Sequence, residues 1–316
     1  MKELKNLKTL NKNNLLVSVA INSLEPDNIA QSFYKLSNQT EPVDVLILLS
    51  DNLTEEEVIK IEEIAKEPYM KVLKKDEENK SSFEMVKSES KLNYAVERTS
   101  AKNFSDCFNE SFNLALENNY KWFSFVEPTD LTEVNWVENF TKYSSELDEI
   151  SVFFPLIRQI KAGGMVGHLN EATWIEGRAE IAGQADLQIL MSWNCLAPIG
   201  AMFKIEDIKE NSEERDGKYY PFKTNLSLAS SYEFFLRMVY EDLKTYTIPR
   251  YGYQMLMDSN VQEINSYSSK IPSNIVSIPK EKGGMSQKEL LFWMEQAKSE
   301  YFMSEDREIE FSEESA

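Results

Sequence analysis

Short, uninterrupted apolar runs that alternate with helical segments restrict the fold of this sequence more than any other feature. Leu15 to Ile21 reads LLVSVAI, and Val43 to Leu49 reads VDVLILL. Helical spacing follows each run, from Asp27 after Pro26 and from about Thr54. Strands without polar alternation are buried on both faces, so the pattern predicts an α/β fold with a Rossmann-like, mostly parallel sheet flanked by helices.

The alternation continues less regularly along the rest of the chain. The sequence predicts a strand near Met70 to Leu73, a helix over Phe104 to Leu116, a strand over Trp122 to Val126, a helix from Leu131, strands over Ser151 to Leu156 and Ile199 to Lys204, a helix over Tyr232 to Tyr240, a short strand over Thr245 to Pro249 and a final amphipathic helix over Gln287 to Phe302. Lys74 to Lys102 is highly charged and weakly periodic, which predicts a solvated loop with a short helix. Arg158 to Asn194 lacks regular patterning, and a connection of this length is more often functional than idle.

Charge and cysteine content exclude several classes of protein. The formal net charge is -19, from 34 basic and 53 acidic residues, so binding to a nucleic-acid backbone is disfavoured. Cys107 and Cys195 have no Cys or His neighbours at metal-ligand spacing, which predicts free thiols rather than a disulfide framework or a zinc site. The leader Met1 to Asn14 is followed by about seven apolar residues, too few to span a bilayer, so we expect a soluble, cytoplasmic protein.

Polar residues stand directly after three of the predicted strands. They are Asn22-Ser23, Asp51-Asn52 and the segment Glu127 to Asp130. Ligands of open parallel sheets bind at the carboxyl ends of the strands, which predicts that these residues share one edge. Glu127 and Asp130 supply the oxygen ligands that Mg²⁺ and Mn²⁺ prefer, with a substrate diphosphate completing the coordination. The alternative is that both are caps of the strand-to-helix connection.

At this point the sequence resembles the family 2 glycosyltransferases of the GT-A fold. The resemblance lies in LLVSVAINSLEPDNIAQSFYKLSNQTEPVDVLILLSDN, in Ala101-Lys102-Asn103, in KWFSFVEPTD, in IGAMFKIEDI, and in SYEFFLRM followed by YTIPRYGY. It spans roughly residues 15 to 256. It implies a nucleotide-sugar-binding half over 15–150, an acceptor-side half over 151–265, and a linker, C-terminal helix and acidic tail over 266–316. GHLNEATW and FWMEQAKSEYFMSEDR resemble, more loosely, a branch of such proteins carried by large tailed phages.

The resemblance implies roles for individual residues. Asn22, Asp51, Asn103 and Arg250 are the expected contacts to the nucleotide-sugar donor, and Glu127 and Asp130 are the expected ligands of a divalent metal, Mn²⁺ or Mg²⁺. The family's metal motif carries an acid at its third position, where this chain has Thr129. Ser230 and Ser231 stand where the family has an acidic pair, which leaves Glu233 as the nearest acid to act as catalytic base. A family histidine near the C-terminal end is Met255 here.

Two functions follow as alternatives. The first is transfer of a sugar from a nucleotide-diphosphate donor to a hydroxyl acceptor on a glycan or protein, with a degenerate metal motif. The second is a catalytically inactive GT-A-fold binding or structural protein, such as a component of a phage virion.

Several other residues have both functional and structural interpretations. His168, in a glycine-rich loop, is either a phosphate contact or an exposed loop residue. Trp174, Trp193 and Tyr253 are either acceptor-stacking surfaces or core residues. Arg178, Arg237 and Arg250 are the cations that we expect nearest to the cleft. Arg237 lies four residues after Glu233, which is also the spacing of a helical ion pair.

Overall fold

The structure is a computed structural model that describes residues 6–10, 13–75, 81–161, 164–176, 179–187, 190, 196–224 and 230–256. The strands are Leu15–Ile21 (β1), Asp44–Ser50 (β2), Tyr69–Lys75 (β3), Ser81–Lys87 (β4), Asn93–Thr99 (β5), Trp122–Val126 (β6), Leu131–Thr132 (β7), Ile150–Lys161 (β8), Gly164–Leu169 (β9), Met202–Lys204 (β10), Glu213–Arg215 (β11), Lys218–Tyr220 (β12) and Lys244–Leu256 (β13). The helices are Pro26–Ser37 (α1), Glu55–Lys66 (α2), Phe104–Glu117 (α3), Trp136–Glu146 (α4), Ile205–Glu210 (α5) and Ser230–Tyr240 (α6).

A nine-stranded sheet organises these elements, in the order β5-β2-β1-β6-β10-β8-β13-β7, with β9 paired to β8. Strands β5, β2, β1 and β6 pair in parallel, and so do β8 and β13. Strand β10 runs antiparallel to both β6 and β8 and joins the two parallel groups. The predicted mixed α/β fold with a mostly parallel, curled sheet is confirmed.

Helices cover both faces of this sheet. The crossovers from β1 to β2 and from β2 to β5 move one way across the sheet, whereas the crossover from β5 to β6 moves back. Right-handed connections therefore place α1 and α2 on one face and α3 on the other. A single hydrophobic core runs from Leu7 and Leu10, within the predicted leader, to Met255 near the end of β13.

Local signals define the starts of two helices. The side chain of Thr54 accepts the backbone N–H of Glu57, and the Glu57 carboxylate accepts the N–H of Thr54, which is the predicted capping box of α2. Asn103 caps α3 by accepting the N–H of Asp106 at 2.9 Å. These bonds satisfy backbone donors that have no partner inside a helix.

The interpretation of Lys74 to Lys102 as a loop was wrong. It contains β4, which forms a separate two-stranded sheet with β3, and β5, which is the outermost strand beside β2. Strand β5 buries Tyr94, Ala95 and Val96 but leaves Glu97 and Arg98 half-exposed, because an edge strand of the sheet reaches solvent. That mixture explains its weak periodicity. The strand predicted near Met70 likewise belongs to the hairpin rather than to the central sheet.

The helix predicted from Leu131 begins only at Trp136, because Leu131–Thr132 form β7 and pair with β13. The remaining differences concern length. Strand β8 continues to Lys161 and pairs with β9, so the first part of the predicted irregular stretch is a hairpin. Strand β13 extends to Leu256, well past the predicted end at Pro249. Arg178, Trp193, Cys195 and the predicted helix over 287–302 lie outside the described residues. No helix in the described part of the chain is both long and apolar enough to cross a bilayer.

Candidate functional site

The carboxyl ends of four neighbouring parallel strands form one edge of the sheet. Val19 of β1 is level with Val126 of β6, and Ile21 of β1 is level with Leu49 of β2. Since adjacent strands lie about 4.8 Å apart, the segments that follow β2, β1 and β6 fall within roughly 10 Å of one another. This edge therefore brings together Asn22, Asp51 and Glu127, as the sequence predicts, and the start of α3 at Asn103 follows the neighbouring β5.

Asp51 lies in a well-anchored turn and exposes its side chain. Its backbone N–H donates to the carbonyl of Thr99 at 2.9 Å. The guanidinium of Arg98 donates to the carbonyls of Ser50, at 3.0 Å, and Leu53, at 3.2 Å. These bonds hold the turn from both sides, while the Asp51 carboxylate faces solvent. Sequence reasoning missed Arg98 because it lies in the segment interpreted as a loop.

The amides at this edge are engaged locally. Asn103 not only caps α3 but also donates its side-chain N–H to the Asp106 carboxylate at 2.7 Å. Asn22 is half-exposed directly after β1, and its side-chain oxygen accepts from the Ser23 hydroxyl at 3.4 Å. Asn103 therefore has a structural function that fixes its orientation whether or not a ligand is bound.

Glu127 and Asp130 are the two ends of a tight turn after β6. The backbone N–H of Asp130 donates to the carbonyl of Glu127 at 3.0 Å. Both side chains are nearly enclosed, with relative exposures of 5% for Glu127 and 2% for Asp130. The Asp130 Oδ1 atom accepts the backbone N–H of Leu256 at 3.0 Å, which ties the turn to the end of β13.

Tyr253 of β13 lies beneath this turn. Its hydroxyl accepts the backbone N–H of Glu127 at 3.1 Å and lies beside the Asp130 side chain. Burial raises the pKa of Tyr253 well above its usual value, and the negative charges of Asp130 and Glu127 raise it further. The hydroxyl therefore stays protonated. As a fully buried residue, Tyr253 is part of the core rather than a stacking surface.

The turn has the donor chemistry of a magnesium or manganese site that is completed by a substrate. No group of three or more His, Cys, Asp or Glu side chains is arranged to hold an ion in the described part of the chain. Mg²⁺ is commonly held by one or two carboxylates together with substrate phosphates and water, rather than by a complete protein cage. Glu127 and Asp130 fit that mode, in which a diphosphate supplies the remaining ligands.

Glu233 lies inside the protein, one turn into α6. Its side chain is 0% exposed, its Oε1 atom accepts from the Arg237 Nε at 2.9 Å, and the Lys223 Nζ lies 3.3 Å from the same oxygen. Arg237 also donates to the backbone carbonyls of Asn211 and Pro221. The carboxylate is therefore the centre of a buried ion-pair network that joins α6 to the segment before it. Sequence reasoning identified the pairing with Arg237 but missed Lys223.

The first residues of α6, before Glu233, include no acid. Ser230 and Ser231 are both buried, and the Ser230 hydroxyl is hydrogen-bonded to the hydroxyl of Ser105 on α3 at 2.6 Å. This contact places the start of α6 beside the start of α3, near the carboxyl edge. These serine side chains thus help to pack the two helices against each other.

Arg250 is not brought together with the nucleotide-side residues. It lies on β13, three strands from β6, where it borders a small cleft between α4 and the sheet. The cleft is lined mainly by apolar side chains, including Trp136 and Phe140. We therefore leave Arg250 out of the site that we propose.

His168 and Trp174 also lie away from the edge formed by β5, β2, β1 and β6. The His168 Nδ1 atom is hydrogen-bonded to the Tyr251 hydroxyl at 2.9 Å. The Trp174 indole N–H donates to the carbonyl of Thr247, a residue of β13, at 2.8 Å. Each side chain has a structural partner on β13.

No protein-family model matches the sequence, and no curated protein matches it. Solved structures of S. aureus TarS match its fold. TarS 1–349 in complex with UDP-GlcNAc matches with a TM-score of 0.52 and 14% identity, covering 90% of this chain and 71% of that chain. TarS 1–349 alone matches with a TM-score of 0.50 and 15% identity, covering 76% and 60%.

The longer TarS structure matches with a TM-score of 0.51 and 15% identity over 77% of this chain. This chain spans 36% of the length of that structure. The TM-scores show a shared fold, but identities this low say nothing about the chemistry, which must be argued from the site. The chain therefore shares the mixed α/β fold of the TarS structures, built on a curled, mostly parallel sheet.

Proposed function

We propose that this chain binds a nucleotide-diphosphate sugar at the carboxyl edge of β2, β1 and β6 and transfers the sugar to a hydroxyl acceptor. The observation that carries the proposal is the convergence of Asn22, Asp51 and the Glu127–Asp130 turn on this edge, in a glycosyltransferase fold. The TarS 1–349 structure of the same fold contains UDP-GlcNAc, so this donor is the first to test.

Each group at the edge has a task in the proposed site. The exposed Asp51 carboxylate accepts hydrogen bonds from the nucleoside, and Asn22 provides an amide beside it. A divalent ion held by Glu127 and Asp130 would neutralise charge that develops on the departing diphosphate. Asp51 is pre-positioned by the bonds of its turn, so little ordering is needed when a nucleotide binds.

The transfer step needs a proton acceptor. The acceptor hydroxyl oxygen bonds to the anomeric carbon while the bond from that carbon to the diphosphate oxygen breaks, and the hydroxyl proton passes to a base. Glu233 is the base that the sequence offers, but its carboxylate is covered and paired with Arg237 and Lys223. To accept a proton from an acceptor, it must first be uncovered from this network.

The burial of Glu233 and the presence of Thr129 in the metal motif favour a second candidate function. In this alternative the fold retains nucleotide-sugar binding or a structural function without catalysis. The virion location that the phage resemblance implies belongs to this alternative and stays a prediction.

Titration with UDP-GlcNAc separates the proposals. We expect saturable binding by calorimetry and a rise in melting temperature, both larger with Mn²⁺ than with EDTA, because a ligand of the native state raises its stability. Asp51→Ala should weaken binding. Asp148→Ala, at an exposed position just before β8, should leave it unchanged. Binding without turnover supports an inactive binding protein, and absence of binding contradicts both donor-binding proposals and leaves only a structural function.

A further inference from the structure

One side chain joins both ends of the Glu127–Asp130 turn. Tyr253 is fully buried, and its hydroxyl lies between the backbone N–H of Glu127, which it accepts at 3.1 Å, and the Asp130 side chain. This single group therefore bonds the first residue of the turn directly and lies beside the side chain of the last.

The surrounding structure leaves little freedom to Tyr253. Strand β7, which follows the turn directly, pairs with β13 so that Tyr253 is opposite Thr132. On the other side the ring packs on Gly200, whose φ of +68° favours glycine and where a Cβ atom would lie 2.6 Å from the ring. Strand pairing and a close glycine contact therefore fix both the direction and the depth of the ring.

We propose that Tyr253 is a positioning residue for the divalent ion, holding Glu127 and Asp130 in the arrangement in which both carboxylates face one ion at the carboxyl edge. This inference rests on the proposed function. It extends that function because Tyr253 is too buried to touch a substrate and acts through the two acids. Groups that orient metal ligands from behind commonly change metal affinity by about 10- to 100-fold when they are removed.

The chain offers a matched control for this proposal. Tyr120 is also a buried tyrosine whose hydroxyl donates to a buried aspartate, Asp44, at 2.8 Å. It immediately precedes the Lys121–Trp122 segment at the opposite, amino end of β6. Tyr120→Phe and Tyr253→Phe therefore each remove one buried, hydrogen-bonded phenol hydroxyl, at opposite ends of the sheet, and only Tyr253→Phe alters the turn.

The test measures Mn²⁺ binding to the full chain by electron paramagnetic resonance, with and without UDP, alongside UDP affinity in EDTA and the melting temperature. We expect Tyr253→Phe to weaken Mn²⁺ binding by about 10-fold or more while UDP affinity in EDTA is unchanged. Tyr120→Phe should lower the melting temperature without changing Mn²⁺ affinity. This difference separates positioning of the ion from general stabilisation.

Three results would overturn the proposal. They are a parent protein that does not bind Mn²⁺, a Tyr253→Phe protein with parental Mn²⁺ affinity, and an equal loss of Mn²⁺ affinity in Tyr120→Phe. Failure of the proposed function is recognised separately, because UDP then fails to bind the parent. If Mn²⁺ still binds and only Tyr253→Phe weakens it, the positioning by Tyr253 stands without the nucleotide site.

Discussion

Replacement of Glu233 by glutamine distinguishes a structural carboxylate from a catalytic one. Glu233 is 0% exposed and contacts the Arg237 Nε at 2.9 Å and the Lys223 Nζ at 3.3 Å. Glutamine retains the shape and one oxygen acceptor but removes the charge, so the Arg237 guanidinium loses its counter-ion in a nearly buried position. Breaking a buried pair by removing one partner costs about 3–5 kcal/mol, and we expect the lower end because the amide oxygen remains.

The expected loss is measurable by urea and thermal unfolding. For a chain of 316 residues, an unfolding entropy of about 2.1 cal/mol/K per residue converts a loss of about 3 kcal/mol into a fall in melting temperature of about 5 °C. Glu213→Gln is the control, because it removes the same charge from an exposed pair with Arg215, and solvent screening leaves such surface pairs with little effect on stability. A free energy of unfolding for Glu233→Gln within about 0.5 kcal/mol of the parent would refute the structural reasoning, since changes this small are typical of surface substitutions.

Turnover of the same variant tests the catalytic role. If Glu233 is the base, Glu233→Gln should lower turnover by about 100-fold or more, at a temperature where the variant is folded and donor affinity is preserved. Transfer that continues at the parental rate would exclude Glu233 as the base. If the parent protein has no turnover, we expect Glu233→Gln to change only the stability.

Three further predictions concern stability. Asp44 accepts hydrogen bonds from the Asn13 backbone and side chain, from Asn93 and from Tyr120. Asp44→Asn should therefore lower the free energy of unfolding by about 3 kcal/mol, and an unchanged midpoint of urea unfolding would contradict this. Burial raises the pKa of Tyr120 above its unfolded value of about 10. Its contribution to folding stability is therefore complete below pH 10 and is lost as the pH rises further, with a slope of up to about 1.4 kcal/mol per pH unit. Tyr120→Phe should remove this pH dependence. Gly200→Ala places a Cβ atom 2.6 Å from the Tyr253 ring, whereas Gly217 has a similar φ of +75° and no atom within 4 Å of an added Cβ. Gly200→Ala should therefore lower the melting temperature more than Gly217→Ala, and equal melting temperatures would contradict the steric argument.

The parts of the fold that sequence reasoning predicted are those whose burial is uniform. Strands β1, β2 and β6 are buried at every position, which produces continuous apolar runs. Strand β5 is the edge of the sheet and reads as NYAVERT, a mixture that resembles a loop as much as a strand. Antiparallel hairpins such as β3–β4 and β8–β9 depend on pairing partners that local patterning does not identify.

In the candidate site, too, some residues could be predicted from the sequence and others could not. Residues directly after buried strands, Asn22, Asp51 and Glu127, were predictable because parallel strands end together. The helical spacing of Glu233 and Arg237 also indicated their pairing. Contacts between distant segments were not predictable, and Tyr253 is the clearest example, because its hydroxyl bonds Glu127 from a position 126 residues further along the chain. The pairing of β7 with β13 helps to bring these two residues together.

Calorimetric titration of the full chain with UDP-GlcNAc, in Mn²⁺ and in EDTA, tests the central claim most directly. The account predicts saturable binding with a stoichiometry of about one, because a single edge carries the site, and it predicts weaker binding for Asp51→Ala than for Asp148→Ala. Heats that do not saturate, together with an unchanged melting temperature at millimolar ligand in both conditions, would contradict the assignment of a nucleotide-sugar site to this edge.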